Sequence, residues 1–232
     1  MDHIAFAIAW YAVLIASLTF HEAAHAFAAA RLGDRTAYLH GQVTLDPLPH
    51  IKREPFGMVI VPIISFLLSG WMIGWASTPY DPEWARTFRR KAALMSLAGP
   101  AGNLIFVLAA VFAIRIGISS DWFQVPEVIT FDHVTAAASS GLTNALAILV
   151  SILFSLNLIL LVFNLIPLPP LDGSNVLLFF LSDQAAERYQ NFLRQPTNRL
   201  IGLIIAWQVF EPLFGYIHTL ALNMLYPGFR YH

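Results

Sequence analysis

The stretch IAFAIAWYAVLIASLTFHEAAH, residues 4–25, decides how the rest of the chain is read. Residues 4–20 carry no charge and read as one continuous apolar helix. Two histidines and a glutamate then follow within five positions, and the helical pattern continues to about Ala30. About 20 apolar residues in a helix cross the roughly 30 Å of hydrocarbon in a bilayer. Ionisable groups at the end of such a helix cost several kcal/mol in lipid unless they are used. A membrane span that ends in chemistry is therefore the first expectation.

The other segments agree with it. Of 232 residues, 57% are hydrophobic and 12% charged, against roughly a quarter charged in a soluble domain. Further apolar blocks occupy residues 56–77, 92–114, 142–166 and 200–225. The second is broken by Pro62, Gly70 and Gly74, and Pro212 is expected to kink the last. Between the blocks, GQVTLDPLPHI at 41–51 reads as a membrane-associated strand or loop. Residues 79–88 are polar and rich in Pro and Asp, 119–140 reads as a polar loop, and 182–198 as a surface helix. The expected fold is all-α and polytopic: a single integral-membrane domain over residues 1–232, with its motifs between about 15 and 180 and a C-terminal span at about 199–226. A net charge of −1 gives no reason to expect nucleic acid as a partner, and the absence of cysteine excludes disulfides, thiolate metal sites and a cysteine nucleophile. The N-terminus lacks a basic region and runs straight into His21 and Glu22, so it does not read as a cleavable signal.

His21-Glu22-Ala23-Ala24-His25 is an H-E-x-x-H pattern on a helix. Residues four apart lie about 40° apart around the axis, so the two imidazoles face the same way and suit two corners of a tetrahedral zinc. The intervening glutamate points to one side, where it can act on water rather than bind the ion. A catalytic zinc takes three protein ligands and keeps one position open. The third candidate is Asp172, in FNLIPLPPLDG at 163–173, where prolines end the apolar helix and Gly173 permits a tight turn. Irregular backbone at membrane depth is tolerated where it lines a cavity. His40, His50, His133, His218 and His232 read as loop or interface residues. For Asn103 a close helix contact or an interhelical hydrogen bond explains the residue as well as a catalytic role does, and Glu211 reads as a buried, hydrogen-bonded or protonated carboxyl.

With HEAAH at 21–25, AGPAGN at 98–103 and FNLIPLPPLDG at 163–173, in this order and on apolar helices, the chain resembles the site-2 protease family of intramembrane zinc metalloproteases. The resemblance covers roughly residues 10–180. It implies one Zn2+ per chain on His21, His25 and Asp172, with Glu22 as catalytic base and Asn164 holding the substrate or the transition state. It also implies a membrane-protein or transmembrane-peptide substrate cut in or beside its membrane segment, within a lipid bilayer. Many small relatives carry Lys-Pro-Val-Pro after Gly-Trp-Ala, whereas this chain reads Gly74-Trp75-Ala76-Ser77-Thr78-Pro79, so any role of that lysine is missing here. The residues themselves leave two rivals: a membrane zinc transporter and a non-catalytic scaffold with structural zinc. Transport predicts a continuous polar path and often an inverted repeat, and a structural zinc predicts a fourth ligand. Neither pattern is visible.

Topology follows from two independent constraints. If all five blocks cross the bilayer, the 13 basic residues divide six against seven. If residues 56–77 dip in and return, they divide 11 against two, with only Arg115 and Arg230 opposite, which is a strong positive-inside bias. The metal ligands require the same parity. Histidines at the C-terminal end of the first helix and an aspartate after the C-terminal end of the fourth block reach one depth only if an even number of crossings separates them. The prediction is four spanning helices and one re-entrant hairpin, with the N-terminus outside and the zinc toward the cytoplasm of a cell membrane.

Overall fold

The computed structural model describes residues 3–229 and 231; Arg230 and His232 lie outside them. The long helices are α1 (His3–Leu32), α6 (Arg89–Ser119), α7 (Leu142–Asn164) and α10 (Pro196–Leu225). All four are long and apolar enough to cross a membrane. Shorter helices connect them: α2 (Thr36–Leu39), α3 (Pro47–Arg53), α4 (Val61–Ser69), α5 (Pro82–Thr87), α8 (Asp172–Leu177) and α9 (Asp183–Arg194). The fold is all-α apart from two two-residue strands, β1 (Phe123–Gln124) and β2 (Ala136–Ala137), paired antiparallel.

α6 packs on both α1 and α7 and so forms the middle of the bundle. One apolar cluster joins α1, the α4 arm and α7 through Trp10, Leu14, Met58, Phe66 and Ile152. A second joins α6, α7 and α10 through Ile114, Phe154, Leu158, Phe214 and Leu222. Outside these clusters the surface stays apolar, with Ile105, Leu108 and Phe112 of α6 all exposed. A soluble monomer rarely shows such a contiguous face, and a bilayer covers it. α10 runs unbroken through Pro212. Glu211, expected to be buried, is exposed on this helix, because α10 lies at the edge of the bundle and packs inward at few positions, Ala206 and Phe214 among them.

Residues 56–77 form the hairpin that charge and parity required. A π-helical turn, Phe56–Ile60, leads into α4. Gly70 ends the arm at φ +78°, a left-handed conformation that suits glycine, and residues 71–80 run back without helix or strand. Trp75 N–H donates to the Gly57 carbonyl at 3.1 Å. Ile73 N–H donates to Ser65 Oγ at 3.1 Å, and the Ser77 hydroxyl donates to the Glu54 carboxylate. Both feet of the hairpin therefore stand together. These bonds give part of its irregular backbone partners within the protein, as irregular backbone at membrane depth requires.

The strand expected within 41–51 is not formed; a loop leads into α3 there. Asp46 caps α3 by accepting from Leu48 N–H at 2.9 Å, and Pro47 fits the first helical position, which outweighs the β-branched Val43 and Thr44. The sheet lies instead in the 119–140 loop, held down by Ser151, whose Oγ accepts from Val134 and Thr135 N–H. The surface helix expected at 182–198 is present as the amphipathic α9.

The basic segments are tied together at one end. Asp81 N–H donates to Asp34 at 2.8 Å, Arg53 Nε donates to the Ser77 carbonyl at 3.1 Å, and Arg89 pairs with Asp183. These contacts place residues 31–53, 77–91 and 183–199 on the same side. Single cysteines at Lys52, Thr87 and Ser120, all exposed, have no native thiol as background. An impermeant thiol reagent added outside cells is expected to label position 120 and spare 52 and 87. Opposite labelling of 52 and 87 would show that the hairpin spans.

Candidate metal centre

His21 and His25 lie one turn apart on the buried side of α1, near its C-terminal end. α7 ends at Asn164, and residues 165–171 turn back so that Asp172 opens α8. The sequence suggested a tight turn at Gly173. Its backbone is instead close-packed: a Cβ there would meet the Leu165 and Ile166 carbonyl oxygens at 2.3 and 2.5 Å. Glycine lets α8 fold back onto the end of α7 and swing Asp172 toward α1.

The three groups converge. His21 Nε2 and His25 Nε2 are 3.0 Å apart, and each is 3.2 Å from Asp172 Oδ2. These separations are close to the edge of about 3.3 Å in a tetrahedron with bonds of about 2.0–2.1 Å. Their chemistry points the same way. His25 Nδ1 lies 2.7 Å from the Met95 carbonyl oxygen, which can only accept, so Nδ1 carries the proton and Nε2 presents a lone pair. His21 Nδ1 lies 2.6 Å from Asn103 Oδ1, which gives the same tautomer. Three electron-pair donors then face one another with no proton between them, an arrangement that a cation relieves. Asp172 supplies the carboxylate oxygen of that set.

Gly99 of α6 makes room for this group. A Cβ on Gly99 would fall 2.3 Å from His25 Nε2 and 2.5 Å from His21 Nε2, in the space toward which the imidazoles point. His21, His25 and Asp172 fit a zinc ion both in donor set and in this cradle.

Glu22 is buried beside the pair. The Thr78 hydroxyl is 2.7 Å from Glu22 Oε2 and 2.9 Å from its main-chain oxygen. Thr78 was not singled out from the sequence. The only signal was its position, where many small relatives carry Lys-Pro-Val-Pro. Glu22, Asn164 and the three converging residues line one cavity of about 460 Å³, together with Gln190 and Arg199. Asn164 donates one N–H to the Leu160 carbonyl at 3.0 Å. Asn103 lies behind His21 and is fully buried, as an interhelical hydrogen-bonding residue rather than one facing the cavity. Of the histidines read as loop or interface residues, His50 is buried near its loop, with Nε2 3.1 Å from the Thr44 carbonyl.

The sequence matches the profile of peptidase family M50, the site-2 protease family, over residues 9–207. The chain belongs to this family. Among its relatives, YwhC of Bacillus subtilis (strain 168) is 35% identical over 165 residues, covering 71% of this chain and 65% of YwhC. Rip2 of Mycobacterium tuberculosis (strain H37Rv) is 33% identical over 159 residues, and Rip2 of Mycolicibacterium smegmatis 30% over 161. Those alignments cover 68% and 69% of this chain and 52% of each Rip2. The relatives carry the designation zinc metalloprotease, and this chain spans about half to two thirds of their length. No solved structure matches.

Gly99→Ala would force its methyl group into the two imidazoles, and overpacking of this kind typically costs about 1–3 kcal/mol. The expected outcome is a lowered thermal midpoint of the metal-free protein in detergent. An unchanged midpoint would mean that α1 and α6 are not held this closely.

Proposed function

We propose that this chain is an intramembrane zinc metallopeptidase that hydrolyses a peptide bond in or beside a transmembrane segment of a membrane-protein substrate. The convergence of His21 Nε2, His25 Nε2 and Asp172 Oδ2 beside the buried Glu22 carries this reading. In it, His21, His25 and Asp172 hold one zinc per chain. Zinc bound there would supply Lewis acidity, lowering the pKa of a water molecule and polarising the scissile carbonyl.

The protein's own groups would divide the remaining work. Glu22 is the base: its carboxylate takes a proton from the attacking water and returns it to the leaving amine as the C–N bond breaks. Thr78, within hydrogen-bond distance of Glu22 Oε2, orients that carboxylate. An amide nitrogen has two N–H groups. Asn164 has one on Leu160, and the second is free to meet the oxygen that gains charge on attack. The polypeptide must be extended before it can react, because a helix hides its carbonyls. The strand expected within 41–51 is absent, but the irregular run 71–80 borders the cavity through Ala76, Ser77 and Thr78, which places main chain outside any helix beside an unwound substrate. The site opens toward the cytoplasm in this reading, on the strength of the basic segments gathered at its end and the positive-inside rule.

Glu22→Gln is expected to keep about one zinc per chain by metal analysis and to lower cleavage of a transmembrane reporter by about 10²–10⁴-fold. Asp172→Ala is expected to lose both zinc and cleavage. Normal cleavage by Glu22→Gln would remove the base from this mechanism. A chain that moves zinc across vesicles without cleaving the reporter would be a transporter. Loss of one oxyanion donor costs about 2.7–4 kcal/mol, so Asn164→Ala is expected to lower turnover by roughly 10²–10³-fold with zinc retained. Full activity in that variant would exclude the role given to Asn164.

A further inference from the structure

Behind His21 a file of buried polar side chains crosses the bundle from α1 to α6 to α7. His21 Nδ1 is 2.6 Å from Asn103 Oδ1. Asn103 Nδ2 is 2.9 Å from Asn157 Oδ1. Asn157 Nδ2 is 2.9 Å from both Ser17 Oγ and the Leu153 carbonyl oxygen. Ser17, Asn103 and Asn157 are each fully buried. None of the three lines the cavity, so none reaches substrate.

The direction of this file is set at its far end. A main-chain carbonyl accepts and cannot donate, so the Asn157 atom that faces Leu153 must be the nitrogen. Its oxygen then faces Asn103, so the Asn103 atom opposite must be a nitrogen, and the oxygen of Asn103 faces His21. That oxygen in turn requires a proton on His21 Nδ1. If either amide were flipped, two like groups would meet at about 2.9 Å in a buried site, where an unpaired polar group is costly. His25 needs no such file, because the Met95 carbonyl meets its Nδ1 directly. The acceptor for His21 is a side chain that could turn over, and Asn157 is what prevents it.

We propose that Asn103 and Asn157 form a one-way hydrogen-bond relay that locks His21 with its proton on Nδ1 and so presents Nε2 to the metal. Both are positioning residues, Asn157 acting through Asn103. This rests on the reading of His21 as a zinc ligand. Partners of this kind typically affect metal affinity by about 10–100-fold.

The test measures zinc affinity of the full chain in detergent by competition with a chelator, alongside the thermal midpoint of the metal-free protein. Asn103→Leu is expected to weaken zinc by about 10–100-fold, and Asn157→Leu by roughly 10-fold, although it touches no ligand. Because the two act in series, the double variant should bind no more weakly than Asn103→Leu alone, a non-additivity expected of one coupled network. Ser155→Ala removes a buried hydroxyl from the same helix that lacks a hydrogen-bond partner, and it should leave zinc affinity unchanged. A readout that needs no variant fold is the 15N spectrum of the zinc-loaded wild type, with His21 assigned by its absence in His21→Gln. The His21 signal should show a protonated Nδ1 and a metallated Nε2. Unchanged affinity in both leucine variants, additive losses, losses matched by Ser155→Ala, or a His21 metallated through Nδ1 would each overturn the relay while zinc binding stands. A wild-type chain that takes up no zinc would sink the ligand reading and the relay with it.

Discussion

A buried imidazole must spend its second nitrogen on something, and in this bundle both do so on α6. His25 donates to the Met95 carbonyl and His21 to Asn103. That pair of bonds fixes the rotation of α1 against α6, their vertical register and the direction in which both Nε2 lone pairs face. Gly99 and Gly102 allow the approach. A Cβ at 99 would strike the imidazoles, and one at 102 would press on Phe20 at 3.1 Å. α7 and α8 are arranged on this core so that Asp172 meets the same point. The apolar clusters stabilise the bundle, but hydrophobic attraction is non-directional and by itself does not set one register. The two imidazole bonds do not, since a shifted partner leaves a buried polar group unsatisfied.

Much of this was legible in the chain. His21, Glu22 and His25 share one helix, and spacing alone puts the imidazoles on one face. Asp172 stood out because prolines released it from an apolar helix. The hairpin was legible because charge bias and ligand parity both count crossings and neither depends on local propensity. The strand placed within 41–51 failed for a local reason: Asp46 and Pro47 start a helix more strongly than Val43 and Thr44 favour extension. Glu211 failed for a different one. Its sequence neighbours mark a membrane helix, but which face of that helix packs is a property of the tertiary structure.

Asn103 was readable as a helix contact or an interhelical hydrogen bond, and it is both. Its partners were not readable. Asn157 and Ser17 are single polar residues inside apolar runs, and Thr78 sits in a segment without periodicity. Thr78 lies in a run with no helix or strand, and nothing in local spacing links it to Glu22, 56 positions away, or Asn157 to Ser17, 140 positions away. Such pairs exist only once the helices are packed. Polar residues of this kind mark where a membrane bundle departs from uniform greasiness without saying what they meet.

The space above Gly99 also has a bearing on how this sequence could have arisen. Every other amino acid carries a Cβ, and at this position a Cβ falls within 2.5 Å of both imidazole nitrogens. Residue 99 and the histidine pair are therefore not free to vary in any order. In a lineage with these helices in contact, a larger residue at 99 would exclude the paired imidazoles, and the pair, once present, makes any later replacement of the glycine a step into a clash. The vacant side of one α6 residue thus acts as a ratchet on the history of α1.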